Sequence, residues 1–134
     1  MKLTIAMAAV LLIWPFSSGK SFPMTASPAV PAAKGTVKAQ RDKDNGDIKL
    51  DIKVEHLAHP GSLTPSAEYY LVWVRPNGGE PLKEGAIGVD NNLSGELKVE
   101  TTAKDFDVSI TAEQSKSDTE PSGQEVLHAH VSMN

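Results

Sequence analysis

Two histidines and a methionine near the end of the chain have the clearest potential for chemistry. His128 and His130 stand two residues apart, and Met133 follows them in the sequence His-Ala-His-Val-Ser-Met. Residues i and i+2 of a β-strand point to the same side, so a strand would place both imidazoles on one face. Imidazole and thioether ligands suit copper, so this tail predicts a site for copper or another metal.

The same two histidines have a simpler interpretation as polar residues that face solvent. Leu127, Ala129 and Val131 already supply an apolar row for the core, which leaves the intervening positions on the wet side. Two ligands from one strand also leave a coordination shell incomplete. A second pair, His56 and His59, ends an earlier strand, and nothing in the sequence brings it near the first. The metal site is therefore the alternative hypothesis.

The acidic residues form neither a catalytic nor a calcium-binding pattern. In the turn 42–47, Gly46 comes one place too early for an EF-hand loop, and Lys53 occupies the twelfth position. Most other carboxylates fall at alternate strand positions, where they face solvent. The sequence has no nucleophile elbow, no phosphate-binding glycine loop, no zinc-protease helix and no cysteine. We therefore expect a protein that is not an enzyme and needs no cofactor.

Strands must position these side chains, because apolar residues recur with a period of two from residue 35 onwards. The clearest alternation runs over 48–55, with one buried and one wet face. The run 69–75 is aromatic and β-branched on both faces, as in a central strand, and Trp73 is its expected core plug. About seven short strands with turn signals predict an all-β fold, an immunoglobulin-like antiparallel β-sandwich over 35–134. A small closed barrel is the structural alternative.

The chain begins with two segments that precede this domain. Residues 1–19 have a positive start, an apolar run too short for the roughly 20 residues of a membrane span, and small residues at the end. They predict a signal peptide cleaved at the end of this range, with Ser21 and Ala26 as alternative cleavage sites and an uncleaved anchor as the other interpretation. Residues 20–34, rich in Ser, Pro and Ala, predict a flexible linker.

Composition limits the classes of binding partner and the cellular compartments that suit this chain. The formal net charge is −4, and a negative chain lacks the clustered basic surface that nucleic acid binding requires. An exported chain without cysteine must be stabilised by its core alone. We expect a periplasmic or secreted protein with no stable membrane span, no nucleic acid partner and an unknown protein partner in the cell envelope.

A series of short motifs follows a fixed order in the second half of the chain. They are Tyr70-Leu71-Val72-Trp73-Val74, Gly88, Phe106, Thr111-Ala112-Glu113, Pro121-Ser122-Gly123 and Val126-Leu127. In this order they resemble the extracytoplasmic C-terminal domain of anti-sigma-K factors, over residues 68–131. The resemblance implies an exported β-sandwich without catalytic residues. We expect no counterpart of that family's cytoplasmic zinc-binding helical domain, so sigma-factor binding is not carried over.

Two functional hypotheses follow from these observations. The first is an exported, non-catalytic interaction module of the bacterial cell envelope. The alternative is a periplasmic protein that binds copper or another metal through His128, His130 and Met133.

Overall fold

Eight antiparallel strands form one continuous sheet in the computed structural model, which describes residues 19–133. The strands are β1 (Lys20–Ala26), β2 (Lys34–Arg41), β3 (Ile48–Glu55), β4 (Tyr69–Pro76), β5 (Leu82–Ala86), β6 (Gly95–Thr101), β7 (Asp105–Glu113) and β8 (Glu125–Ser132). Their order across the sheet is β5-β4-β7-β8-β1-β2-β3-β6. The end strands β5 and β6 come close together, so the sheet is nearly closed into a barrel. The predicted all-β class is confirmed.

Helical structure is confined, within this described range, to one 3-10 turn at Pro60–Ser62. No helix among residues 19–133 is long and apolar enough to cross a membrane.

The alternation of β3 builds one wall of the core, as the sequence predicts. Its apolar residues, from Ile48 to Val54, are at most 2% exposed, while the residues between them point outward. The acidic turn 42–47 connects β2 to β3 as a hairpin. Gly46 adopts the positive φ of 77° that this turn requires, and the Asp44 N–H donates to the Asp42 side chain at 2.8 Å.

Apolar side chains fill the interior from every strand except β5 and β6, whose apolar residues are only partly buried or exposed. The largest buried members that face the interior are Tyr70, Phe106, Ile48, Leu50, Ile52, Leu57, Ile110 and Leu127. The Tyr70 hydroxyl donates to the Ala58 carbonyl at 2.7 Å, so its one polar group is satisfied. Burial raises the pKa of Tyr70 to about 12.

The segment 20–34 corrects the prediction of a flexible linker. Its first part is strand β1, which pairs with β2 from Lys20 to Met24 and with β8 at Thr25 and Ala26. This strand could not be recognised from composition, because only Phe22 and Met24 supply sizeable apolar side chains on its inner face. The open edges of β2 and β8 supply the backbone hydrogen bonds that order it.

β1 also explains why the fold is not the predicted one in detail. The sequence predicts about seven strands in an immunoglobulin-like sandwich, and the structure has eight strands in one sheet. Because β1 pairs with β2 through its first part and with β8 through its last part, it joins two groups of strands that a sandwich would keep separate. The two-sheet arrangement is thus not confirmed, and the shape is closer to the small-barrel alternative.

The predicted signal peptide lies outside the described residues, apart from Gly19. The position of β1 bears on the predicted cleavage site, because a cut after Ala26 would remove this strand and leave the edges of β2 and β8 unpaired.

We therefore expect cleavage of the predicted signal peptide to leave the new amino terminus at or near Lys20, with β1 intact. Intact-mass measurement of the exported protein checks this expectation. A variant that begins at Ser27 should lose cooperative unfolding, since it lacks one strand from the middle of the sheet. Recovery of a natural, folded product that begins at Ser27 would contradict the structural role of β1.

Candidate functional site

The outer face of β4 and β7 carries a buried aromatic residue. Trp73 is 0% exposed, but it lies on the opposite side of β4 from Tyr70, Val72 and Val74, which join the interior cluster. The predicted burial of Trp73 is confirmed, but the indole lies outside the interior cluster and does not plug the space between two sheets. Both faces of β4 are apolar, so the sequence alone could not determine which face the indole covers.

A chain of hydrogen bonds leads from this tryptophan to a buried carboxylate. The Trp73 Nε1–H donates to the Thr111 hydroxyl at 2.8 Å, and that hydroxyl donates to Glu113 Oε2 at 2.6 Å. Glu113 is only 1% exposed. Its carboxylate also accepts hydrogen bonds from the Ser122 N–H at 3.1 Å, the Ser122 hydroxyl at 2.8 Å and the Gly123 N–H at 3.0 Å.

These contacts determine the charge state of Glu113. Burial by itself raises the pKa of this carboxyl, and the hydrogen bonds from Thr111, Ser122 and Gly123 together outweigh that effect. The pKa is consequently lowered, and the carboxylate is ionised at neutral pH. A buried ion that accepts several hydrogen bonds is stable only where its donors stay in place, so Glu113 fixes the segment that supplies them.

That segment is the loop 114–124 between β7 and β8. Gly123 must be glycine, because a Cβ at this position would lie 1.6 Å from the Ala112 carbonyl oxygen. At the other side of the loop, the Lys83 ammonium donates to the Lys116 carbonyl, and the Lys116 ammonium lies 5.1 Å from the centre of the Tyr69 ring. The loop is thus attached to the outer face of the sheet at several points.

Between this loop and the β4–β5 connection lies a cleft of about 380 Å³ on the outer face of β4, β7 and β8. Its lining residues are Arg75, Pro81, Asp107, Ser109, Thr111, Pro121, Gly123, Glu125 and His128. Ser109 is the direct cross-strand neighbour of His128, and Arg75 is that of Asp107. The strands give this cleft a rigid floor with hydrogen-bonding groups, and the attached loop forms one wall.

Both histidines of the predicted metal site face outward from β8, and each contacts acidic residues. His130 lies between two carboxylates of β7, with its Nε2 2.7 Å from Asp105 Oδ1 and its Nδ1 2.8 Å from Asp107 Oδ1. The His128 Nδ1 lies 3.1 Å from Glu125 Oε2. The hydrogen bond to Asp107, together with the charges of both aspartates, raises the pKa of His130 despite the opposing effect of desolvation.

The third predicted ligand is placed differently. Met133 packs against the hydrophobic core, and its N–H donates to the Lys104 carbonyl at 2.8 Å. His56 directly follows β3, which is separated from β8 by β1 and β2 in the sheet. Within residues 19–133, no three His, Cys, Asp or Glu side chains form a group suited to a metal ion. The metal hypothesis remains a prediction for titration, without support from these contacts.

A second surface lies on the outer face of β2, β3 and β6. It contains grooves of about 420 and 280 Å³ that share Lys38 and Asp51. Lysines and carboxylates alternate across its rows, as in the row of Lys38, Asp51 and Lys98. This alternation of opposite charges is typical of a solvated sheet face, and the net charge of the face is close to zero.

Sequence reasoning missed the buried carboxylate as a feature of the site. Thr111 and Glu113 stand two residues apart at the end of β7, where they continue the strand's alternation of polar and apolar residues, so the sequence pattern alone indicates a solvated face. This spacing puts both on one face, but only the return of the loop shows that the face is buried.

The chain matches no protein-family model and no curated protein. The resemblance to the C-terminal domain of anti-sigma-K factors accordingly remains a hypothesis that rests on its short motifs.

The role of the buried carboxylate can be tested by substitution. Glu113→Gln should lower the free energy of unfolding by about 2–3 kcal/mol at neutral pH, because an amide group loses the ionic hydrogen bonds and turns its NH₂ towards other donors. Chemical denaturation measures this change. Glu120→Gln, an exposed change in the same loop, is the matched control and should stay within about 0.5 kcal/mol.

The pH dependence distinguishes the ionic role of Glu113 from simple packing. Its folded-state pKa is lowered, so its stabilisation is present above the ordinary value of 4.5 and disappears as pH falls through the lowered value. The stability difference between the wild type and Glu113→Gln should shrink over that acidic range. A difference that stays constant with pH would show that the ionised form of Glu113 is not what matters.

A prediction of the opposite sign applies to His130. Its folded-state pKa is raised, so its stabilisation is present below the ordinary value of 6.5 and is lost as pH rises through the raised value. Thermal unfolding measured between about pH 5 and 8 should show this loss in the wild type and not in His130→Gln. His59→Gln is the control, because the His59 ring contacts no carboxylate within the described range, and it should leave the pH profile unchanged.

Proposed function

We propose that this chain is an exported, non-catalytic binding module of the bacterial cell envelope, with a protein as its partner. One observation carries the proposal: the space enclosed by the sheet is filled by buried apolar side chains. A small barrel filled in this way has no room for an internal ligand, so recognition has to use the outer surface. In this proposal the nearly closed sheet is a variant of an immunoglobulin-like sandwich, with β1 shared between its two halves.

The binding surface in this proposal is the cleft over β4, β7 and β8. Binding residues are often carried by loops that a rigid scaffold positions, and the loop 114–124 is such an element, held by Glu113. The cleft offers polar groups to a partner, among them the Ser109 hydroxyl and the exposed Arg75 guanidinium, whose Nε–H donates to the Gly79 carbonyl at 3.3 Å. Pro81 and Pro121 add rigid apolar walls.

Two features of the sequence support export. The apolar run near the start is too short for a span of about 20 residues, as in a signal peptide, and the motif order resembles an extracytoplasmic domain.

Site-specific photo-crosslinking in intact bacteria that export the protein tests the proposal. A photoreactive residue at position 128, inside the cleft, should give a covalent adduct with an envelope protein, and the adduct should be lost on Arg75→Glu. The same residue at exposed His59 is the matched control and should give no such adduct. Retention of the protein in the cytoplasm, or equal adducts from both positions, would contradict the proposal.

A further inference from the structure

The two ends of the sheet, β5 and β6, meet without forming a strand pair. Within residues 19–133, neither strand-to-strand pairing nor a backbone hydrogen bond joins them. Their contact is tight at one end, where a Cβ on Gly95 would lie 2.2 Å from the Gly88 carbonyl oxygen. Away from that point the apolar residues become exposed, from Ile87 at 2% to Leu82 at 53%. The line along which β5 and β6 meet, here called the seam, is therefore closed near the start of β6 and open towards its end.

The two edges of this seam differ in how well they are protected. β5 has five residues, a bulge opposite Val72 and Trp73, and Gly85 at a φ of 155°. Short length and bulges are common ways to prevent an edge strand from pairing with another chain. β6 has seven residues, contains no proline, and pairs with β3 without a break in register from Gly95 to Thr101. Its free edge is thus straight and regular.

The inner side chains of β6 are incompletely covered. Leu97 and Val99 face inward yet are only half-buried, whereas Leu50 and Ile52, their neighbours on β3, are fully buried. A further strand alongside β6 would cover these two side chains and pair the free backbone groups of the edge.

The charged side chains of β6 indicate which strand could pair with its free edge. We propose that β6 pairs antiparallel with β6 of a second copy of this chain, with the two-fold axis at Val99. This register sets each Lys98 opposite Glu100 of the second copy, which gives two pairs of opposite charge. An axis at Lys98 would instead oppose lysine to lysine and Glu96 to Glu100, which is unfavourable. The strand is therefore self-complementary in charge, as a two-fold interface requires.

An axis at Leu97 would also oppose unlike charges, but it is less accessible. The Leu97 side chain lies in the closed part of the seam, 3.5 Å from the position of a Cβ on Gly85. Val99 lies two residues further along β6, towards the open end of the seam where Leu82 of β5 is exposed, so it is the more accessible of the two positions. This inference does not depend on the proposed function, because it concerns the edge of the sheet and not the cleft.

Sedimentation velocity of the purified exported protein over a range of concentrations tests for the dimer. We expect a reversible monomer–dimer equilibrium in which Lys98→Glu weakens association by about tenfold or more, because it changes two attractive pairs into repulsive ones. The double variant with Lys98→Glu and Glu100→Lys should restore association. Thermal unfolding of each variant confirms that the monomer is folded.

Lys53→Glu is the matched control for these variants. Both variants change the net charge by the same amount. Both also place a new acid opposite an existing one across the β3–β6 pair: Lys53→Glu lies opposite Glu96, and Lys98→Glu lies opposite Asp51. Only Lys98 lies on the edge strand, so Lys53→Glu should leave association unchanged.

Crosslinking tests the register and does not depend on charge. The chain has no cysteine, so Val99→Cys introduces a single thiol, and directly opposed strand residues are close enough for a disulfide. Mild oxidation should join two copies through position 99 and not through Glu96→Cys. A wild type that stays monomeric at millimolar concentration, an equal effect of Lys53→Glu and Lys98→Glu, or efficient crosslinking through position 96 would overturn the proposal.

Discussion

The carboxylate of Glu113 is the interaction on which the surface of this protein depends. It is buried and charged, and it is compensated by donors from the same strand and from the loop 114–124. An ion in this environment requires all its partners, so the position of the loop, the burial of Trp73 and the shape of the cleft are linked. A polar loop with proline and glycine thereby acquires a fixed position that its composition alone would not give it.

The sequence predicts the elements with one-sided patterns and fails for those without them. β3 shows clean alternation between Ile48 and Glu55, and the predicted extent and buried face of this strand agree with the structure. β4 is apolar on both faces, so its strand character is predictable while the orientation of Trp73 is not. β1 has too few apolar residues to be recognised, because its order comes from partners at distant positions in the sequence.

The candidate site shows the same limitation in chemical terms. The outward phase of His128 and His130 follows from strand alternation, and the structure agrees with it. Their carboxylate partners come from β7 and from the start of β8, and only the register between these strands brings Asp105 and Asp107 to the imidazole of His130. A list of residues that can bind a metal therefore gives no information on which of them already have partners.

The position of β1 has a consequence for how the chain reaches its folded state. Its last residues pair with β8, so Thr25 lies beside His128 although almost the whole described chain separates them. Contacts of such high sequence separation form slowly, because a long loop must be closed before they stabilise anything. If the chain is threaded through a membrane from its amino terminus, β1 emerges first and must wait for its last partner. The sheet can then be completed only after β8 has crossed the membrane as well.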